Sequence, residues 1–413
     1  MRTRTRGRIR ARLAAGAVML SLVALVALPA ATANAAPQSC PKSINVTDGS
    51  WYSLAAAVAT VCPGGVVNIG PSVIDSATIT VDKAVKVSGA GQALTTINGR
   101  LPFDITSTGS LKLSGVTLAG GGDWGIRVAG SLTLTKVTVT HFYLTAIYAL
   151  SGSSVTLNSD TLITANHSGR YTWEGGAGIY NDGGSVTLNG NAAVTDNVND
   201  GCVMFPMADG RWTPPVGGFG GGILSKNDGS ITLNDQAVVS GNTIKYCDQT
   251  KGPGPIGDGG GIFSQGGSVT LNDSARVTGN GAARGGGISG GSQMLGLSST
   301  GATITLNDSA TVSDNLATSA GGGIYNWIGG QVSLKNEATV SGNTSHGNAG
   351  GIYNMSGTVT MNDASLITGN AASGTGGGIY NTTYPYAAGY PVGEVVLNDA
   401  AAVSGNTPND IAP

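Results

Sequence analysis

GGIYNMSGTVTMNDASLITGN, residues 350–370, contains three short apolar–polar alternations, Ile-Tyr-Asn, Val-Thr-Met and Leu-Ile-Thr, each closed by Gly, Asn or Asp. Alternation with a period of two is the signature of a strand with one buried face. Asn and Gly at the ends tolerate the left-handed backbone that a sharp corner needs. Three strands and three turns in so few residues read as one rung of a parallel β-solenoid, in an all-β chain. The same three elements recur from residue 175 onward. The isoleucine of the Gly-rich element is Ile179, Ile223, Ile262, Ile288, Ile324, Ile352 and Ile379. The second element ends at Asn158, Asn189, Asn234, Asn272, Asn307, Asn336, Asn362 and Asn398, and the third at Asn166, Asn197, Asn242, Asn280, Asn315, Asn343, Asn370 and Asn406. These two asparagines are eight residues apart in every rung but one, where they are seven apart. A single rung buries too little apolar surface to offset the entropy of ordering it, so rungs must stack.

Residues 51–165 read as shorter rungs of the same kind, led by WYSLAAAVAT (51–60), a capping helix that covers the first open edge. Ahead of it, Arg2, Arg4, Arg6, Arg8, Arg10 and Arg12 precede an apolar run from Leu13 to Leu28 and an Ala33-Asn34-Ala35 cleavage pattern. Residues 1–35 therefore read as a secretory signal peptide, residues 36–65 as a lead and cap, and residues 66–413 as the coil. The mature chain is expected to be secreted, with no membrane span. Without the leader, 15 basic residues face 23 acidic ones, a net charge of −8, which disfavours a nucleic-acid partner. The 68 glycines exclude a helical bundle, and the lack of a three-residue glycine period excludes collagen. Four cysteines suit an oxidising compartment. Spacing favours Cys40 with Cys62 and Cys202 with Cys247 among three possible pairings, and the three histidines lie at no zinc-ligand spacing from them.

With these motifs in place, the N-terminal stretch resembles the start of right-handed parallel β-helix proteins of the pectin lyase-like superfamily. The GGGIYN and V-T-x-N elements resemble the polymorphic outer membrane protein type of repeat. The resemblance implies a single-stranded right-handed parallel β-helix with a short N-terminal capping helix, and it covers nearly all the mature chain. Its members include polysaccharide lyases, hydrolases and adhesins, so fold alone does not assign an activity. The Asn-Thr-Asp, Asp-Asp and Gly-His-Gly set of galacturonases is absent here, as are the Trp-x-Asp-His element of pectate lyases and the Gly-Arg-Pro-Trp element of pectin esterases.

Interruptions of the repeat point to the functional region. From the last Asn of a rung to the next Gly-rich Ile the gap is eight or nine residues, but it is 13 after Asn166, 26 after Asn197 and 20 after Asn242. The insertions at 167–178, 198–222 and 243–261 are consecutive, so they should leave one corner side by side. They hold the candidate ligand-binding residues His167, Arg170, Tyr171, Trp173, Glu174, Arg211, Trp212, Lys245, Tyr246 and Asp258, together with Asp209, Cys202 and Cys247. Aromatic rings, carboxylates and cations in protruding loops suit an extended polysaccharide or cell-surface glycan. Non-catalytic recognition or a surface scaffold is the expected role. The alternative is a lyase using Lys245 or Arg211 as base, or a hydrolase using Glu174 and Asp258 as its two carboxylates. A minor alternative is ice binding through outward Ser/Thr columns such as Ser154 and Thr156, Ser185 and Thr187, and Ser230 and Thr232, which strand alternation also explains. A second column, Asp235, Asp273, Asp308, Glu337, Asp363 and Asp399, follows the turn Asn. Local backbone hydrogen bonding accounts for it, so no metal or other cofactor is expected and a calcium ladder is the disfavoured alternative.

Overall fold

Strands Ser185–Leu188, Ser230–Leu233, Ser268–Leu271 and Thr303–Leu306 lie side by side, parallel and in register, so that Val186, Ile231, Val269 and Ile304 stack in one interior column. All four are buried. The computed structural model describes residues 39–413 apart from 123, 169–174, 201–217, 246–256, 292–300 and 385–388. The leader, residues 1–35, lies outside the described residues. Among those described, the strands form three parallel sheets of 23, 12 and 7 strands, and from about residue 154 each rung but the last contributes to all three. The chain is a parallel β-helix, with Cys40–Pro413 as one compact unit. No helix among the described residues is long and apolar enough to cross a membrane.

The expected cap helix spans Trp51–Thr60, with Leu54, Ala57 and Val58 buried on one face. That spacing of three and four residues puts the three side chains over the first rungs. The Trp51 indole N–H donates to the Ala77 carbonyl at 2.9 Å. The lead also contains a strand, Ser43–Val46, paired parallel with Gly65–Ile69, so the helix is inserted into the first turn of the coil. Cys40 and Cys62 form a disulfide around this strand and helix, at a sequence separation of 22. Closing a loop of that length constrains the unfolded chain by about 3 kcal/mol. Cys40→Ser should therefore speed hydrogen exchange in the strands 43–46 and 65–69 while leaving rungs beyond residue 150 protected.

The third-element asparagines form a buried ladder. Each side-chain Oδ1 accepts both the backbone N–H and the amide Nδ2–H of the Asn one rung earlier, as in Asn166 to Asn197 at 3.1 and 2.9 Å and Asn197 to Asn242 at 3.0 and 2.9 Å. Phe142 N–H opens the ladder on Asn166 Oδ1, and Asp410 Oδ1 closes it on Asn406. The glycines before each Ile fit this ladder. At Gly222 a Cβ would lie 2.7 Å from the Gly261 carbonyl oxygen and 2.9 Å from Asn242 Nδ2, and Gly220 takes a left-handed φ of +61°.

The acidic column differs from the sequence expectation in one rung. Lys335, not Asn336, occupies the place of Asn307, because Lys335 N–H donates to Leu306 O as Asn307 N–H donates to Leu271 O. Asn336 then takes the left-handed place of the aspartates, at φ +59°, and Glu337 leaves the column. This shift is why one spacing is seven. The column carboxylates accept backbone N–H groups from the preceding rung: Gly190 to Asp235, Asp235 to Asp273 and Asn336 to Asp363, at 2.8 to 2.9 Å. An ionised acceptor in a backbone hydrogen bond is an adequate reason for Asp at this corner.

The Ser/Thr columns are continuous in register from Ser131 and Thr133 through Ser268 and Thr270 to Thr303 and Thr305. Gln331 interrupts them, and Glu394 and Val396 end them. A further hydroxyl column runs through Thr195, Ser240, Thr278 and Ser313, in which Ser240 donates to Thr195 at 3.3 Å and Ser313 to Thr278 at 3.1 Å.

Candidate functional site

The strands His167–Ser168, Val198–Asn199 and Thr243–Ile244 are consecutive neighbours in the smallest sheet. Their register is His167, Val198, Thr243 and Ser168, Asn199, Ile244. The three insertions thus depart from one corner, from adjacent strands whose roots sit about 4.8 Å apart. Ser168, Asn199 and Ile244 are buried, which turns the next residue of each strand to the opposite, outer face. Asp200 and Lys245 occupy that outward place. Their backbone N–H groups donate to Ser168 O and Asn199 O at 3.1 and 3.0 Å, so both are anchored before the loops begin.

Asp200 joins two of the expected residues. Its Oδ2 lies 3.4 Å from His167 Nδ1 and its Oδ1 3.2 Å from Lys245 Nζ, with 33–60% of each side chain exposed. Oδ1 is itself screened from solvent and accepts no hydrogen bond among the described residues. The sequence reading passed over Asp200 because it is one of many acidic residues near turns. Its one distinguishing signal was its position three residues after a ladder asparagine, at the root of the longest insertion. Arg170, Tyr171, Trp173, Glu174, Arg211, Trp212 and Tyr246 lie outside the described residues, as do Asp209 and the expected Cys202–Cys247 pair.

Asp258 is placed differently from the sequence expectation. It is fully buried, and Arg284 holds both of its oxygens, with Nε to Oδ1 at 2.7 Å and Nη2 to Oδ2 at 2.8 Å. Its backbone bridges Phe219 on one side and Arg284 on the other. The return of the third insertion is thereby fixed between two neighbouring rungs, and Asp258 serves as an anchor, not as a carboxylate facing ligand. Burial opposes the charge on Arg284, but Asp258 reverses that and holds it above the ordinary arginine value. The guanidinium carbon lies 5.0 Å from the Tyr325 ring centre. Burial first, and then the Asp258 charge, raises the Tyr325 phenol above its ordinary value.

Outside the coil, aromatic side chains make a second packed layer. Tyr180, Phe219, Leu224 and Phe263 are buried together, with Phe219 and Phe263 centroids 4.7 Å apart and Tyr148 and Tyr180 centroids 4.9 Å apart. Further along, Tyr325 stacks on Tyr353 at 5.0 Å, and Tyr353 meets Tyr380 at 5.2 Å with the rings tilted. Tyr180, Phe263, Tyr325, Tyr353 and Tyr380 each follow the Ile of their Gly-rich element, so alternation turns them away from the aliphatic core. Among the described residues, no group of three or more His, Cys, Asp or Glu side chains is placed to hold a metal ion.

No protein-family model matches the chain, and no curated protein matches it. It is similar to two solved structures. One is ORF18 of Geobacillus virus E2, at 10% identity and a TM-score of 0.39, covering 88% of this chain; the chain spans 62% of the viral protein's length. The other is the catalytic domain of a GH87 α-1,3-glucanase variant in complex with nigerose, at 14% identity and a TM-score of 0.37, covering 92% of this chain and 69% of the other. The fold assignment itself rests on the strand register described above.

Proposed function

We propose that this chain is a secreted β-helix whose insertion corner recognises an extended glycan without cleaving it. One observation carries the reading: three in-register strands in successive rungs deliver three insertions to one corner, with His167, Asp200 and Lys245 clustered and partly exposed at their roots. A rigid scaffold that presents adjacent loops along its length suits a linear polymer better than a compact ligand. The hydrolytic alternative is weakened because Asp258, one of its two carboxylates, is enclosed and committed to Arg284. The same reading takes residues 1–35 as a removed leader and places the coil in the pectin lyase-like superfamily with polymorphic outer membrane protein-type repeats. It requires no cofactor.

Affinity electrophoresis of the purified protein through a panel of neutral and uronic-acid polysaccharides tests the proposal, with reducing ends and unsaturated products assayed in parallel. The expected result is retarded migration on at least one polymer with no product. Product formation would transfer the assignment to a hydrolase or lyase, and unretarded migration on every polymer would remove the glycan reading altogether.

A further inference from the structure

Tyr143 lies one rung ahead of the cluster, on the same corner. His167 N–H donates to the Phe142 carbonyl at 2.7 Å, so the Phe142–Tyr143 segment extends the line of the short strands. Phe142 is completely buried and opens the asparagine ladder, and Tyr143 N–H donates to Gly122 O at 2.9 Å. On this fixed backbone the Tyr143 side chain is 56% exposed, with its ring centre 6.4 Å from that of His167. An apolar ring held in solvent by a rigid support already has most of its ordering cost met by the fold.

From this juxtaposition we infer that Tyr143, His167, Asp200 and Lys245 form a subsite for a neutral, polyhydroxylated sugar polymer, an inference that rests on the glycan reading above. Charge selects the class. Asp200 and Lys245 cancel each other at 3.2 Å, and the chain without its leader carries a net −8, so a polyanion finds no surplus of positive charge among the described residues here. Hydrogen-bond inventory selects the chemistry. Asp200 presents a carboxylate acceptor with a third of its side chain exposed, and Lys245 Nζ is a donor beside it. Neighbouring hydroxyls of one sugar match the pair, one donating to the exposed part of the Asp200 carboxylate and the next accepting from Nζ. Tyr143 is three rungs from Lys245, roughly 14 Å at the spacing of paired strands. Its ring therefore meets the C–H face of a different sugar along the same chain, which makes the subsite one for a polymer.

Affinity electrophoresis of the full protein against linear neutral α- and β-glucans, with polygalacturonate and alginate as the anionic arm, provides the test. Expected is retention by a neutral glucan and not by the polyuronates, with Tyr143→Ala and Asp200→Asn each weakening retention at least tenfold. Tyr52→Ala, which removes another exposed tyrosine on the cap helix, should leave retention unchanged. Melting curves of the variants should superimpose on the parent, since neither Tyr143 nor Asp200 is a core side chain. Retention by polyuronates alone would overturn the inference and leave the glycan reading standing. Neutral-glucan retention insensitive to both substitutions would overturn this subsite. Retention on no polymer would end both.

Discussion

Asp258→Ala is expected to lower the free energy of unfolding by about 3–5 kcal/mol, the usual cost of stranding one member of a buried ion pair. Arg284 would remain charged, because nothing at neutral pH deprotonates a guanidinium, and its side chain is only 9% exposed. The Tyr325 ring would remain beside it. Replacing both members, as in Asp258→Leu with Arg284→Met, should recover most of the loss, since a matched apolar pair avoids desolvating two charges. Urea denaturation of the two single variants and the double variant would measure the coupling. A fall of less than 1 kcal/mol for Asp258→Ala would show that water or the insertion returns satisfy Arg284 unaided. Because Asp258 bridges Phe219 and Arg284, the single variant should also lose exchange protection at residues 257–259 before the rest of the coil.

Asn280→Ala should cost a similar 3–5 kcal/mol by a different route. Its Oδ1 accepts two hydrogens from Asn242 at 3.0 Å each, while its Nδ2 donates to Val239 O, Thr278 O and Asn315 Oδ1 at 3.0 to 3.1 Å. At 1% exposure no solvent replaces them, and each buried group left without a partner costs roughly 1–3 kcal/mol. Asn398→Ala is the matched control. Asn398 makes one ladder bond, to Asn362 at 2.9 Å, from an exposed position, and its loss should cost under about 1 kcal/mol. Equal effects at the two sites would mean that the buried ladder is no stronger than its solvated counterpart. Since rungs couple mainly to their neighbours, the Asn280 loss should appear first as local opening around residues 240–315.

Much of the fold was legible because its rules are local. Alternation named the strands, the asparagine spacing named the corners, and the gap lengths after Asn166, Asn197 and Asn242 located the insertion corner. Legibility failed where two residue types can exchange places. Lys335 and Asn336 each satisfy a corner pattern, and only the cross-rung hydrogen bonds decide which occupies the asparagine place. The gap count also registered one kind of corner only. The chain between strands Ile288–Gly290 and Thr303–Leu306 is also long, and it falls at a different corner, outside that count.

At the candidate site the division is sharper. The sequence by itself determined that the chain coils, that its core is a stack of aliphatic columns, and that the chemistry-bearing residues concentrate in three consecutive insertions. Those properties follow from periodicity, which each rung repeats whatever its neighbours do. Only the tertiary structure decided which of those residues face outward together. Asp258 and Asp200 are both acidic residues near the same corner, yet one is enclosed by an arginine from the next rung and the other is half-buried between His167 and Lys245. Tyr143 precedes the insertions in sequence but joins His167 through stacking of rungs. Burial and partnership are set by contacts between rungs some 20 to 45 residues apart, and no local pattern encodes them.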